Sequence, residues 1–377
     1  MRVPEAVARA LTGLGVDTVF GVVGSGNFHV TNALIAGGAR YFAARHECGA
    51  ASMADAWARL AGRPGVLTLH QGPGITNALT GITEAAKSRT PLLVLAADVS
   101  SAAVTSNFRI DVAAIAAATG ATPARLQSTG FAVDDTVRAY RTARDERRTV
   151  VLALPLDVQA GECTWPGPPD SRPPEPLVPA AGDVAQLAAM LAQAARPVFI
   201  AGRGARNVGA RAALERLADG CGALLATSAA AKGLFRGNPW DLDVSGGFAS
   251  PLAAELIAAA DVLVGWGCSL NMWTTRHGSL VGDATTVAQV DHEAEAIGRH
   301  RPVQLGVVGD VAMTADAVSD LIDPGLGDGD RSGYRSAALR DRLAAGIRWR
   351  DIPFEDASDG TRIDPRSVTI AVDDMLP

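Results

Sequence analysis

Short apolar runs alternate with longer alanine-rich stretches along most of the chain. Strands of a parallel sheet that is covered by helices are buried on both faces, so their sequences are continuously apolar. The alternation therefore predicts an α/β fold built on parallel sheets. In the first part of the chain the predicted strands are 17–23, 65–70, 91–97 and 149–155.

Proline interrupts this pattern between residues 165 and 180, where "WPGPPDSRPPEPLVPA" excludes a helix and a central strand. The alternation then resumes, with predicted strands at 197–202, 223–227, 261–267, 285–291 and 303–309. We therefore expect two doubly wound parallel-sheet domains, residues 1–164 and 181–325, joined by an extended linker. Residues 326–377 are expected to form a second linker and a terminal amphipathic helix.

Composition narrows the class of protein. The chain has 377 residues, 48% of them hydrophobic and 20% charged, which is a globular composition. A net charge of −6 argues against nucleic acid or an anionic membrane surface as a partner. No signal-like start and no uncharged apolar stretch of about 18 residues occurs, so we expect a cytoplasmic protein. The four cysteines lack the spacing of a disulfide framework or a zinc site: Cys48, Cys163, Cys221 and Cys268.

Several motifs in order carry a resemblance to a known family. The first domain contains "GVDTVFGVVGSG", "RHECGAASMADAWARLAGRPGV" and "GPGITNALTGITEAAKSRTPLLVLAADV". Together they resemble the pyrimidine-binding domain of thiamine-diphosphate enzymes such as acetolactate synthase, pyruvate oxidase and benzoylformate decarboxylase. The later segments "ARPVFIAGRGAR", "AADVLVGWGCSL" and "VAQVDHEAEAIG" resemble the Rossmann-like central domain of the same superfamily.

This resemblance implies a catalytic role for Glu47, at the entrance of an alanine-rich helical stretch. Catalysis in the family requires that the thiazolium ring of the coenzyme lose a proton, and the protein makes this ionisation feasible. By the resemblance, the Glu47 carboxyl group bonds the aminopyrimidine and favours its imino tautomer, whose nitrogen removes that proton. We expect this carboxyl group to be buried against the ring. The alternative is a solvated acid at a helix start.

The turn "HQGPGITN" (70–77) follows a predicted buried strand and precedes a helix. Glycines at such a turn let the backbone approach a flat ring and leave amides free at the helix start. By the resemblance, the residues of this turn and of the loop after the first strand form walls of the cofactor pocket. We expect these wall residues to be Val23, Gly24, Gly72, Pro73, Gly74 and Asn77.

Four further residues are candidates for contact with the substrate. His70 ends a strand at the pocket, and some decarboxylases and lyases of the superfamily carry a histidine in a similar position, so it is a catalytic candidate that donates a proton to the substrate. His29, Gln71 and Arg109 are substrate candidates, and the Arg109 guanidinium suits a carboxylate. A lone histidine or a loop arginine is more often a solvated or structural group.

Two glycine-rich segments imitate cofactor motifs. "GRGARNVG" (202–209) has Asn207 where the dinucleotide fingerprint needs its third glycine, so FAD, which some members of the superfamily bind, is the less favoured second cofactor. "GDGD" (327–330) imitates the start of the family's Mg²⁺ and diphosphate motif. No apolar strand precedes it and no Asn follows it, so we reject it as a metal site and assign no metal ligand to this chain.

The resemblance therefore implies an enzyme component, which cleaves or forms carbon–carbon bonds of a 2-oxo acid and in overall pattern is nearest to acetolactate synthase. The Mg²⁺ and diphosphate half would come from a missing segment or a partner chain, so the chain is expected to be inactive alone. The expected assembly is a homo-oligomer or a hetero-oligomer, and an aldehyde is the other candidate substrate. The alternative function is a catalytically silent or regulatory homologue that serves as an assembly platform.

Overall fold

The computed structural model describes residues 1–322 and 333–376. The chain forms two compact units, and the second unit begins at Glu175. Residues 164–180 contain neither a helix nor a strand, as the proline-rich sequence predicts. The segment 327–330, rejected above as a metal site, lies outside the described residues.

The first unit is built on a sheet of six parallel strands in the order β2-β1-β3-β4-β6-β5. Its strands are β1 (Thr18–Gly21), β2 (Arg40–Ala43), β3 (Gly65–Leu69), β4 (Leu92–Asp98), β5 (Thr122–Arg125) and β6 (Thr149–Pro155). Its helices are α1 (Val3–Gly13), α2 (Phe28–Ala36), α3 (Glu47–Ala61), α4 (Pro73–Lys87), α5 (Val112–Thr119), α6 (Ala132–Asp145) and the single turn α7 (Leu156–Gln159).

Helices cover both faces of this sheet, because successive strand residues point to opposite sides and both sides are apolar. Val66 and Leu93 belong to the core that faces α1, α2 and α6. Their neighbours Leu67 and Val94 belong to the core that faces α3, α4 and α5. The first unit is therefore doubly wound, as the continuous apolar runs predict.

The second unit repeats this architecture with a sheet of six parallel strands in the order β12-β11-β10-β7-β8-β9. Its strands are β7 (Pro197–Ala201), β8 (Leu224–Thr227), β9 (Asp241–Val244), β10 (Val262–Trp266), β11 (Thr286–Asp291) and β12 (Leu305–Val308). Its helices are α8 (Ala181–Gln193), α9 (Ala210–Cys221), α10 (Pro251–Ala258), α11 (Val311–Leu321), α12 (Ala337–Gly346) and α13 (Pro365–Met375). Among the described helices, none has the length and apolar character needed to cross a bilayer.

The sequence pattern does not predict three of the strands, namely β2, β5 and β9. All three lie at sheet edges. An edge strand is not covered on both faces, so it does not require a continuous apolar sequence. Three of the four residues of β2 are exposed, and β5 contains Pro123, which an edge strand tolerates. Strand β9 pairs with β8 through an irregular register.

The sheet order of the first unit determines where a site can form. The chain runs from β1 to the edge strand β2 and then returns to β3 on the other side of β1. At such a reversal the loops at the carboxyl ends of the two strands diverge, and a crevice opens between them. The loops after β1 and β3 contain the glycine-rich sequences 22–27 and 70–74.

Close packing of α3 against α4 depends on Gly81. A Cβ atom at Gly81 would lie 2.5 Å from the Cβ of Ala51 and 3.2 Å from the backbone nitrogen of Ser52. We expect Gly81→Ala to destabilise the first unit by about 1–3 kcal/mol, because the added methyl group must separate two helices that are both buried here. Urea unfolding followed by circular dichroism measures the change.

Gly49→Ala is the matched control for this prediction, because Gly49 lies in α3 and a Cβ atom there would meet nothing within 4 Å. Alanine is favoured over glycine in helices by about 0.5–1 kcal/mol, so this control should leave stability unchanged or increase it. Equal unfolding midpoints for the two variants would contradict the packing argument.

Candidate functional site

Glu47 is the first residue of α3, which begins directly after the edge strand β2 and a short connection. The ring nitrogen Nδ1 of His46 accepts a hydrogen bond from the Cys48 amide at 3.2 Å and so caps the helix. A carboxylate in the first turn is favoured by the partial positive charge of a helix N-terminus. The Glu47 side chain is half-buried within this chain, so the sequence-based expectation of a buried carboxyl group is only partly met.

Asn77 holds the Glu47 carboxylate from the neighbouring helix. Its Nδ2 atom donates a hydrogen bond to Oε2 of Glu47 at 3.0 Å, and Asn77 lies near the start of α4. Oε1 of Glu47 accepts no hydrogen bond from any residue that the structure describes, and a Cβ atom at Gly74 would lie 3.9 Å from it. One carboxylate oxygen is thus fixed, and the other is available beside a glycine.

The turn between β3 and α4 brings backbone close to this carboxylate. Gly72 has φ +64°, a left-handed conformation that favours glycine, and Pro73 begins the helix. A Cβ atom at Gly72 would lie 2.9 Å from the carbonyl oxygen of Phe108, so the loop after β4 passes over the turn. A side chain at position 72 would push this loop away.

His70 is the polar side chain at the end of β3. Its Nδ1 atom accepts a hydrogen bond from the Gly26 amide at 3.1 Å, and the Phe108 ring meets its ring edge to face at 5.5 Å. A Cβ atom at Gly24 would lie 2.6 Å from Cγ of His70. Burial lowers the pKa of His70 below its ordinary value, and the negative charge of Glu47 opposes this change.

A buried asparagine fixes the loop after β1. The Asn27 side chain accepts a hydrogen bond from the Gly24 amide at 2.7 Å and donates to the Val22 carbonyl at 3.1 Å. It also donates to Oγ1 of Thr68 at 3.3 Å, which ties the loop to β3. Sequence reasoning missed Asn27, Gly26 and Phe108. An Asn that ends a glycine-rich loop just before a helix was the available signal for the first of these.

The predicted site residues separate into two groups. Glu47, His70, Gly24, Gly72, Gly74 and Asn77 lie together, in the two loops and the helix starts described above. The ring of His29, by contrast, contacts Phe28 and is exposed on α2. The exposed Arg109 side chain makes no hydrogen bond or ion pair with the described residues. Val23 is exposed in the loop after β1, and Pro73 is exposed at the start of α4.

Gln71 differs from the other candidates because it is buried. Its exposed fraction is 6%, and Oε1 of its carboxamide has no hydrogen-bond partner among the described residues. A buried polar atom without a partner costs free energy, and this one lies against the Gly26 backbone, where a Cβ atom would be 1.6 Å from it.

These residues fit one half of thiamine diphosphate. A carboxylate with one free oxygen, beside glycines that allow close approach, suits the edge of a planar aminopyrimidine. For the Mg²⁺ of the other half, the described part of the chain has no group of three or more His, Cys, Asp or Glu side chains that could hold a metal ion. Mg²⁺ binding requires oxygen ligands in octahedral geometry.

The glycine-rich segment 202–209 in the second unit packs closely against another backbone segment. It follows β7, which together with β10 forms the reversal point of that sheet. A Cβ atom at Gly202 would lie 2.2 Å from the Gly267 carbonyl oxygen, and one at Gly204 would lie 2.7 Å from the Gly267 Cα. These glycines bring two backbone segments together, which agrees with the failed match to a dinucleotide fingerprint.

Comparison with protein families matches both units. Residues 1–121 match the thiamine pyrophosphate enzyme N-terminal TPP binding domain, and residues 184–318 match the central domain of the same enzymes. Thiamine pyrophosphate is another name for thiamine diphosphate. The first match contains the whole cluster from Gly24 to Asn77.

Individual relatives agree with this. The chain is 32% identical to a probable 2-ketoarginine decarboxylase of Pseudomonas aeruginosa over 90% of its own length and 62% of the relative's. It is 28% identical to a sulfoacetaldehyde acetyltransferase of Rhodobacter capsulatus over 94% of its length and 62% of the relative's. It is also 28% identical to a probable acetolactate synthase large subunit of Methanocaldococcus jannaschii, over 85% and 56%.

The chain spans about three fifths of the length of these curated relatives. Within that span both domain matches occur in the order that the sequence predicts. The first covers strands β1 to β4 of the first sheet, and the second covers all six strands of the second sheet. The chain belongs to the thiamine-diphosphate-dependent enzymes and carries their N-terminal cofactor-binding domain and their central domain.

Proposed function

We propose that this chain is a component of an enzyme that cleaves or forms carbon–carbon bonds of 2-oxo acids, as an acetolactate synthase-like carboligase or decarboxylase. One observation carries the proposal. The Glu47 carboxylate stands at a helix start with Oε2 bonded to Asn77 and with Oε1 unbonded within the described chain, beside the glycines of the turn after β3.

Thiamine diphosphate, when bound, supplies a carbon nucleophile that attacks a carbonyl group. The contribution of this chain is to hold a proton at a defined place. Oε1 of Glu47 would bond the ring nitrogen of the aminopyrimidine, while the bond from Asn77 prevents the carboxylate from turning away. Transfer of a proton to or from a positioned group accelerates reactions by about 10²–10⁴-fold.

His70 would act on the substrate side of the same crevice. Burial favours its neutral form, which has one N–H donor and one acceptor nitrogen. Gln71, His29 and Arg109 are further candidates for substrate contact. Gln71 is the best supported of these three, because its carboxamide is buried and Oε1 is unpartnered among the described residues.

The substrate class follows from the names of the relatives, which include a decarboxylase of a 2-oxo acid, an acetyltransferase for an aldehyde and an acetolactate synthase. A 2-oxo acid or an aldehyde is therefore the proposed substrate. Mg²⁺ and the diphosphate would be held by a further segment or by a partner chain, within a homo-oligomer or a hetero-oligomer. FAD is the less favoured second cofactor of the proposed enzyme.

Replacement of the acid by its amide tests this role. We expect Glu47→Gln, in the enzyme assembled with its diphosphate-binding part, to lower kcat by about 10²–10⁴-fold, because an amide is a much weaker proton donor and acceptor. Steady-state turnover of 2-oxo acids measures the effect, and circular dichroism checks the fold.

Glu146→Gln is the matched control, because Glu146 is exposed at the end of α6, far along the chain from the loops of the site. It should leave turnover unchanged. Near-normal turnover in Glu47→Gln would contradict the proposal and favour the alternative of a silent or regulatory platform.

Isothermal titration of the chain alone with thiamine diphosphate and Mg²⁺ tests the division of the site. We expect a dissociation constant weaker than about 1 mM, because the proposal assigns only the pyrimidine side to this chain and the described residues contain no His, Cys, Asp or Glu group that could hold the Mg²⁺ of the diphosphate. Addition of the diphosphate-binding polypeptide should restore tight binding. Micromolar binding to the chain alone would show that it holds the whole coenzyme.

A further inference from the structure

The loop after β1 makes a hydrogen bond to His70, and the identity of its donor shows which ring nitrogen accepts. The Gly26 amide donates its hydrogen to Nδ1 of His70 at 3.1 Å, between residues 44 positions apart. A backbone amide can only donate, so Nδ1 must present a lone pair. In a neutral imidazole the proton then lies on Nε2.

Contacts within the chain hold the Gly26 loop, whose amide is the donor of this hydrogen bond, without the help of a ligand. Asn27 is completely buried and bonds the loop backbone at Val22 and Gly24, and its bond to Thr68 ties the loop to β3. Because β3 also carries His70 at its end, the amide and the ring belong to one rigid frame. Such a frame lowers the cost of holding the imidazole in one tautomer.

A side chain at position 26 would collide with its neighbours as they stand. A Cβ atom there would lie 1.6 Å from Oε1 of Gln71, 2.7 Å from its Cδ and 2.9 Å from the Cβ of Ala97. The absent side chain therefore leaves the space that the buried carboxamide of Gln71 occupies. The orientation of the His70 ring and the position of the Gln71 carboxamide therefore both depend on the backbone at Gly26.

We propose that Gly26 is a positioning residue, which holds His70 as the neutral tautomer with its proton on Nε2 and makes room for the Gln71 carboxamide. The inference rests on the proposed function in one respect, namely that these groups face a 2-oxo acid. His70 then donates a hydrogen bond to a carbonyl or carboxylate oxygen of the substrate, and it does not act as a base through Nδ1.

The surroundings of the ring agree with this assignment. Phe108 covers the ring edge to face, and the charged group that acts on it is the Glu47 carboxylate. A second proton on Nδ1 would point at the Gly26 N–H and break the hydrogen bond, so the loop geometry itself opposes the imidazolium form.

Nitrogen NMR of the whole chain, labelled with ¹⁵N in its histidine rings, reads the tautomer without any activity measurement. The chain has six histidines, and loss of one signal set in His70→Gln assigns His70. At pH 7 we expect a pyridine-like Nδ1 and a pyrrole-like Nε2. A proton on Nδ1, alone or together with Nε2, would overturn the proposal.

Variants of the loop test whether the Gly26 backbone determines the tautomer of His70. Gly26→Ala should give a mixture of tautomers, because the methyl group displaces the loop, whereas Gly182→Ala should not, since a Cβ atom there meets nothing within 4 Å. Gly26→Ala combined with Gln71→Ala removes the closest clash and keeps the amide, and should restore the Nε2–H form. An unchanged tautomer in Gly26→Ala would contradict the positioning role. If this variant does not fold, the wild-type spectrum still decides the tautomer.

Two substitutions of His70 distinguish the roles of its two ring nitrogens in the assembled enzyme. The Gln side chain can bring an N–H near the place of Nε2, whereas the shorter Asn side chain replaces only the acceptor at Nδ1. One hydrogen bond contributes about 0.5–1.5 kcal/mol, so His70→Gln should retain about 2- to 10-fold more kcat than His70→Asn. Equal or reversed values would refute substrate donation by Nε2. Because the NMR result is independent of turnover, failure of the proposed function would leave the tautomer assignment testable.

Discussion

The hydrogen bond from Asn77 to the Glu47 carboxylate is the interaction on which the candidate site depends, because it joins the starts of two helices that follow different strands. The same two helices pack closely in the core, where Gly81 leaves room for Ala51. Close packing of α3 against α4 in the core therefore also constrains the first turns of the two helices, where the site lies.

The two units show how one architecture gives different sites. In each, a reversal in strand order separates the loops at the carboxyl ends of two neighbouring strands. In the first unit the loop after β3 carries His70 and Gln71, and Glu47 lies at the start of the helix that follows β2. In the second unit, Gly202 and Gly204 pack against Gly267, so backbone fills the corresponding position. The chemistry therefore comes from loop sequences, because the sheets themselves are alike.

The groups that the described residues bring to the candidate site suit one end of the coenzyme. The described residues provide a carboxylate, a neutral histidine and glycine turns, which suit an aromatic heterocycle, but they provide no metal-binding cluster. The chain spans about three fifths of its curated relatives, and the matched domains are the N-terminal and central ones. The proposed division of the coenzyme site would give its flat end and its charged end different contacts.

The sequence by itself determined the fold class, the central strands and the family, since buried parallel strands require continuous apolar runs and the cofactor motifs are local in sequence. It also singled out Glu47, His70 and Asn77. Only the tertiary structure decided which contacts join the candidates, such as the hydrogen bond from Asn77 to Glu47. The edge strands and the contact from Gly26 to His70 were likewise beyond the sequence. An edge strand has no distinctive pattern, and a hydrogen bond between residues 44 positions apart is fixed by the packing of the loops, which no local pattern encodes.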